Sequence, residues 1–238
     1  MTSKLRLKKS TPRVAASLTL IAALFTTSSS LQAGKITAWA WDPTAIASVA
    51  LDPIPPLADP NNDDVVGPSP NTILVTQKAI FGIGPVDIEF TVMDSGGTTE
   101  YTMIEGPSNG TGIPWSSYRM ELGFGVGSAF VPSPSGDGLD FDAPDFNSPP
   151  DFSGSGFFTT VLESEDVLVA SGGIFPVGGF PTPEYRFNID VPDGITSFTI
   201  RQQPVAVPEP GTMTMALLGS LALIRRKRLR QEAAVVAG

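Results

Sequence analysis

Strict two-residue alternation is what most restricts the fold of this chain. Val86, Ile88, Phe90 and Val92 alternate with Asp87, Glu89 and Thr91. Tyr118, Met120, Leu122, Phe124 and Val126 alternate with Arg119, Glu121, Gly123 and Gly125. Tyr185, Phe187, Ile189 and Val191 repeat the pattern, and a further run follows at 195–201. Successive side chains of an extended strand point to opposite faces, so this period gives each window one apolar and one polar face. Shorter windows of strand character lie at 35–41, 72–76, 99–105, 157–162 and 166–170. No stretch between the two ends carries a sustained 3.6-residue apolar stripe with helix caps. About eight or nine strands separated by turns specify an all-β fold, an antiparallel β-sandwich or jelly roll.

The punctuation between windows predicts how they connect. Asp94-Ser95-Gly96-Gly97 reads as a hairpin turn, and Val191-Pro192-Asp193-Gly194 as a second one joining the last two strands. Two longer stretches, 52–70 and 132–150, hold too many Pro and Asp for the interior of a sheet. They are expected to be long surface loops.

Charge divides the chain into three parts. The 15 Lys and Arg fall five in 1–33, five in 34–207 and five in 208–238, whereas 22 of the 24 Asp and Glu lie in the middle part. Five basic against 22 acidic residues leave that part at −17. A field of this sign repels nucleic acid and anionic lipid, and attracts cations. The chain has no Cys and no His, which excludes disulfides, thiol nucleophiles, zinc sites of the usual kind and His-based triads.

The first part has the layout of a secretory signal peptide in 1–33, with the apolar run expected to be helical. Lys4, Arg6, Lys8, Lys9 and Arg13 precede the apolar run 14–25, and a polar Ser/Thr stretch follows. That run, about a dozen residues, is too short to span a bilayer comfortably. Cleavage between Ala33 and Gly34 suits the small residue expected before the cut. A cut after Ser30, preceded by Ser28, is the alternative.

At the other end Pro208-Glu209-Pro210 precedes an uncharged apolar segment, 211–224, and then Arg225-Arg226-Lys227-Arg228. In that order the parts resemble the PEP-CTERM sorting domain of Gram-negative bacteria. The resemblance covers about the last thirty residues. It implies recognition by an exosortase, a membrane-embedded transpeptidase-like enzyme, and transport to the cell envelope or extracellular matrix after transient anchoring in the inner membrane. Physical features agree with it. The two prolines hold the chain extended and accessible, and the basic cluster 225–230 would stay on the cytoplasmic face. An ordinary tail anchor or an amphipathic end on the membrane is the plainer alternative. The domain plan is thus a signal peptide (1–33), an exported β-sandwich (34–206), a sorting segment with a short membrane helix (207–230) and a tail (231–238). The body also resembles choice-of-anchor surface domains in the phrases Leu139-Asp140-Phe141-Asp142, Glu165-Asp166-Val167-Leu168 and 191–202. That resemblance implies no activity.

Calcium is the sharpest site hypothesis for the middle part, because it takes six to eight oxygen ligands that alternate carboxylates on a bent loop can supply. Asp59, Asn61 and Asp63 alternate, as do Asp140 and Asp142, with Asp137 and Asp145 nearby. The pattern fails as an EF-type loop, with Asp64 where Gly is needed and Pro70 where Glu is needed. Asp and Asn also make ordinary hydrated turns, so no metal or cofactor is assigned. Trp39, Trp41 and Trp115 could stack on sugar rings or pack in the core. Gly123, Gly125 and Gly127 read as a bend or bulge. No catalytic residues stand out, and the expected role is a non-enzymatic structural or adhesive envelope protein. The alternatives are a carbohydrate-binding module for matrix polysaccharide and a secreted hydrolase.

Overall fold

The computed structural model describes residues 34–42, 46–152 and 157–208. The expected signal helix and C-terminal membrane helix lie outside the described residues. The strands are β1 (Gly34–Trp41), β2 (Ala47–Ala50), β3 (Thr72–Ile80), β4 (Val86–Asp94), β5 (Thr99–Asn109), β6 (Trp115–Phe124), β7 (Val131–Pro132), β8 (Thr160–Ser164), β9 (Val167–Ser171), β10 (Tyr185–Val191) and β11 (Ser197–Ala206). The larger sheet has the order β1-β4-β11-β6-β9-β8, with β7 added beside β6. The smaller has the order β10-β5-β3-β2.

The alternating windows became strands for the reason their period gives. Ile88, Phe90, Met120, Leu122 and Ile200 turn one face of the larger sheet inward. Ile73, Val75, Tyr101, Met103, Phe187 and Ile189 answer from the smaller, and all are buried in one continuous core. Phe90 and Phe198 stack at 5.1 Å on a directly paired position of β4 and β11. Each large apolar side chain buried in this way contributes about 1.5–3 kcal/mol. The result is a sandwich of mainly antiparallel sheets.

Three expectations need correcting. The pair β3–β5 is parallel, because the strand between them in sequence, β4, belongs to the opposite sheet and serves as the crossover that a parallel pair requires. The two predicted hairpin turns are not hairpins either. Asp94–Gly97 connects β4 of the larger sheet to β5 of the smaller, and Pro192–Gly194 connects β10 of the smaller to β11 of the larger. The turn chemistry is as expected, with Gly96 at φ 108° and Gly194 at φ 82°, but the chain arches between sheets. The arches lie side by side and bond reciprocally. Asp193 Oδ1 accepts from Ser95 N–H and Asp94 Oδ1 accepts from Gly194 N–H, both at 3.2 Å.

The third correction concerns the long connections, which are not merely surface loops. Leu139, Phe141, Phe152 and Phe158 are at most 2 % exposed. They close the side of the sandwich at β10, where Phe152 stacks on Tyr185 at 4.4 Å and Phe141 meets Phe187 edge-on. The same connection pairs with the free edge of β10 through the bridges Asp140–Asp190 and Asp151–Arg186. Connection 52–70 is pinned by buried amides. Asn71 Oδ1 accepts from Ala58 N–H, Asn71 Nδ2 donates to Asn62 Oδ1, and Asn62 Nδ2 donates to Ser69 Oγ. The two connections form a third layer over the outer face of the smaller sheet. That layer buries Glu100, Thr102, Asn188 and Asp190 on the polar side of their strands.

Candidate functional site: an acidic cleft and the sorting segment

At the arch end of the sandwich, five segments enclose an open cleft of about 480 Å3 lined by Asp63, Thr98, Asp140, Phe146, Glu165 and Asp190, among others. Asp63 comes from the connection before β3, Asp140 from the long connection bridged to the edge of β10, Asp190 from β10 itself and Glu165 from the β8–β9 turn. The backbones of Asp140 and Asp190 exchange hydrogen bonds, which fixes two carboxylates at the same edge. Asp140 Oδ1 accepts from Ala143 N–H at 2.7 Å. Glu165 accepts from the Ser135 hydroxyl and Gly136 N–H. Asp190 is only 4 % exposed, and its Oδ1 has no hydrogen-bond partner among the described residues.

The electrostatics follow from burial without compensation. Burial pushes Asp190 up to about 9, with Asp140 the largest of the repelling neighbours. Burial likewise raises Asp140 to about 7 and Glu100, just beneath, to about 7. No basic residue lines the cleft. Three of the five cations of the body are paired elsewhere: Lys78 with Glu105, Arg119 with Glu121 and Arg201 with Asp87.

The two Asp-rich patterns therefore converge, but only in part. One residue of each, Asp63 and Asp140, reaches the cleft. Asp142 accepts from Ser148 N–H, and Asp137 from Leu139 N–H and the Ser133 hydroxyl. These are the ordinary turn roles of the residue type. Asp190 escaped the sequence reading because alternation assigns it to the solvent face of β10. The signal available was a lone acid on a strand rich in apolar residues, next to a long connection carrying aromatic residues.

The tryptophans are buried to different extents, Trp39 and Trp41 only partly. Trp115 is fully buried, stacked on Phe175 at 4.7 Å, with its Nε1 donating to Thr111 Oγ1. Trp39 and Trp41 pack against the core. Gly125 and Gly127 adopt positive φ and make a turn after β6, as the expectation of a bend required.

The opposite end of the sandwich carries the C-terminal exit. β11 lies between β4 and β6 in the larger sheet. Its last residue, Ala206, pairs with Trp115, and Val207 N–H donates to Pro114 O at 2.9 Å. Pro208 follows, exposed. The chain carries a PEP-CTERM protein-sorting motif. The family model matches residues 206–228. Nothing among curated proteins or solved structures matches the chain significantly.

The PEP-CTERM match begins on the final strand residue, so the sorting segment leaves the domain directly from its larger sheet. Such a motif belongs to exported proteins sorted by an exosortase to the envelope or extracellular space. Of the motif residues, Pro208 is described; Glu209, Pro210, Arg225, Arg226, Lys227 and Arg228 lie outside the described residues, as does Ala33. Gly34, on the far side of the expected signal cut, opens β1 opposite Asp94. A Cβ there would fall 2.4 Å from Val191 Cγ1 and 2.6 Å from Pro192 O, so the close approach of β1 to the second arch requires glycine. The acidic cleft and the PEP-CTERM exit are separated by the length of β11, about 30 Å at the usual rise per residue.

Proposed function

We propose that this protein is a non-enzymatic surface component, structural or adhesive, delivered to the envelope or extracellular matrix after processing by an exosortase-type transpeptidase. The observation that carries the reading is the PEP-CTERM match at 206–228. It is supported by a β-rich body whose last strand ends where the match begins. The apolar segment 211–224 has 14 residues. As a helix these would reach about 21 Å against a hydrocarbon core of about 30 Å, a marginal permanent anchor. The basic cluster behind it is costly to draw across the membrane, so release requires a cut on the outer side. Matrix polysaccharide as a partner draws no support from Trp115, which is fully buried, and Trp39 and Trp41 are partly buried against the core.

Intact-mass analysis of the protein from the native surface fraction tests the proposal. The expected mass lacks 225–238 and ends at or near Pro208-Glu209-Pro210. A mass that retains 225–238 would establish a plain tail anchor instead. Turnover in a screen of glycan and ester substrates would replace the non-enzymatic role.

A further inference from the structure

We infer that the end of the sandwich from which Pro208 leaves is a membrane-docking face, on which the domain rests against a lipid bilayer while 211–224 anchors the chain. The inference rests on the anchoring role proposed above for that segment. Three connections meet at this end, 81–85, 110–114 and 172–183, and together they hold no Asp, Glu, Lys or Arg in a body with 22 acidic residues. They turn apolar side chains outward. Phe81, Ile83, Ile174 and Val177, with Ile46 beside them, are each 47–58 % exposed. Asn109 at the end of β5 ties the connections together, its Nδ2 donating to Ile113 O at 2.9 Å and to Pro176 O at 3.1 Å. Phe81 N–H donates to Ile46 O and Gly110 N–H to Ile80 O, both at 2.8 Å. The Phe81 ring lies 2.7 Å from where a Cβ on Gly110 would stand, so glycine is needed for this approach. An apolar surface built and held in this way marks a contact.

The position of the chain exit selects lipid as the occupant. Val207 N–H donates to Pro114 O at 2.9 Å and Gln203 Nε2 to Ile83 O at 3.3 Å, so the last strand leaves beside two of the three connections. Only Glu209 and Pro210 then separate Pro208 from the uncharged segment 211–224. Fully extended, the steps from Pro208 to Gly211 reach about 11 Å. An anchored chain therefore holds this end at the headgroup layer, which is roughly 5–8 Å deep on each side of the hydrocarbon. Apolar side chains gain by entering that layer, and charge near it decides whether they can. The acidic cleft is about 30 Å away along β11, several times the Debye length of about 8–10 Å at physiological salt. Of the acids closer by, Asp42 acts on Arg201 and Glu184 follows the third connection at its rim. Docked end-on, the domain keeps Pro208-Glu209-Pro210 against the surface where a membrane-embedded transpeptidase works.

The chain has no Cys, so single fluorescent probes can be attached to the full chain through Phe81→Cys, Val177→Cys and, at the arch end, Met93→Cys. Each labelled chain is reconstituted into phosphatidylcholine vesicles carrying a nitroxide near the top of the acyl chain. Emission is expected to be lost at 81 and 177 and kept at 93. Adding Ile83→Asp to the chain labelled at 177, or Val177→Asp to the chain labelled at 81, should restore emission while the chain stays on the vesicles. Both positions are exposed, so these changes leave the core intact. A chain carrying Leu217→Asp and Leu218→Asp, which puts two charges into the apolar segment, should come off the vesicles. If it stays attached, or if the parent never attaches, the anchoring reading fails and the docking face with it. A parent anchored through 211–224 but equally bright at 81, 177 and 93 would overturn the docking face alone. Shielding of 81 and 177 from aqueous iodide without quenching by the lipid would also overturn it, because protein, a second copy or 211–224 itself, would then cover the patch.

Discussion

Replacing Lys78 by methionine is expected to destabilise the domain by about 3–5 kcal/mol, because it strands a buried carboxylate. Lys78 and Glu105 face each other inside the sandwich with both side chains fully buried and Nζ 2.5 Å from Oε2. Gln202 Nε2 donates to the same oxygen at 2.8 Å, and Tyr118 O–H donates to Gln202 Oε1 at 3.0 Å. Burial lowers Lys78 to about 8 against the opposing pull of Glu105. Removing one partner leaves the other uncompensated, and Tm should fall by roughly 10 °C in a domain of this size. The double variant Lys78→Met/Glu105→Gln keeps an acceptor for Gln202 and removes both charges, and should recover most of the loss. Equal losses in the single and double variants would show that packing, not the stranded charge, sets the penalty.

The second large effect is an inverted pH dependence. Tm should fall by about 10 °C between roughly pH 5 and pH 7.5. Asp190 is raised to about 9, Asp140, Glu100 and Glu163 to about 7, and Asp166 to about 6, each chiefly by burial. These groups bind protons more tightly when folded than when unfolded. Their contribution is therefore complete below the ordinary carboxylate range and is lost as pH rises through the raised values. Glu165, held low by hydrogen bonds from Ser135 and Gly136, acts in the opposite sense but below this window. Many proteins instead gain stability on leaving acid, because their paired carboxylates become ionised. Differential scanning calorimetry across the window decides it, and a Tm that rises or stays level would mean that the acids are not desolvated in solution.

Period and turn chemistry made most of the strands legible, yet left their partners open. The windows at 86–92, 118–126 and 185–191 appear as β4, β6 and β10, with β6 ending at Phe124 because Gly125 turns at φ 74°. The residues Asp94–Gly97 reverse the chain as their sequence implies, but whether a reversal makes a hairpin or an arch depends on which strands compete for each edge, and that is long-range information. Lys78 was invisible for another reason. The register of β3 shifts between Val75 and Lys78, and the irregularity swings a charged residue onto the core face. The cleft was half legible. Asp63 and Asp140 sat in suspected clusters, whereas Asp190 and Glu100 looked solvent-facing because alternation cannot say that aromatic residues in a distant connection will fasten a cover over them.

The placement of β11 has a mechanical consequence. The strand that leads to the sorting segment is hydrogen-bonded along both sides, to β4 and to β6. β1 begins at the arch end, opposite Asp94, while β11 leaves from the other. Tension applied between Gly34 and Pro208 thus runs parallel to the strands, and loads two ladders in shear so that their bonds must yield together. A tail attached to an edge strand would load one ladder instead of two. Pulling single molecules through residues 34 and 208 should require a higher rupture force than pulling across the strands, for example between positions in β8 and β1. If the two directions gave equal forces, the central strand would not be the element that resists traction on a tethered surface protein.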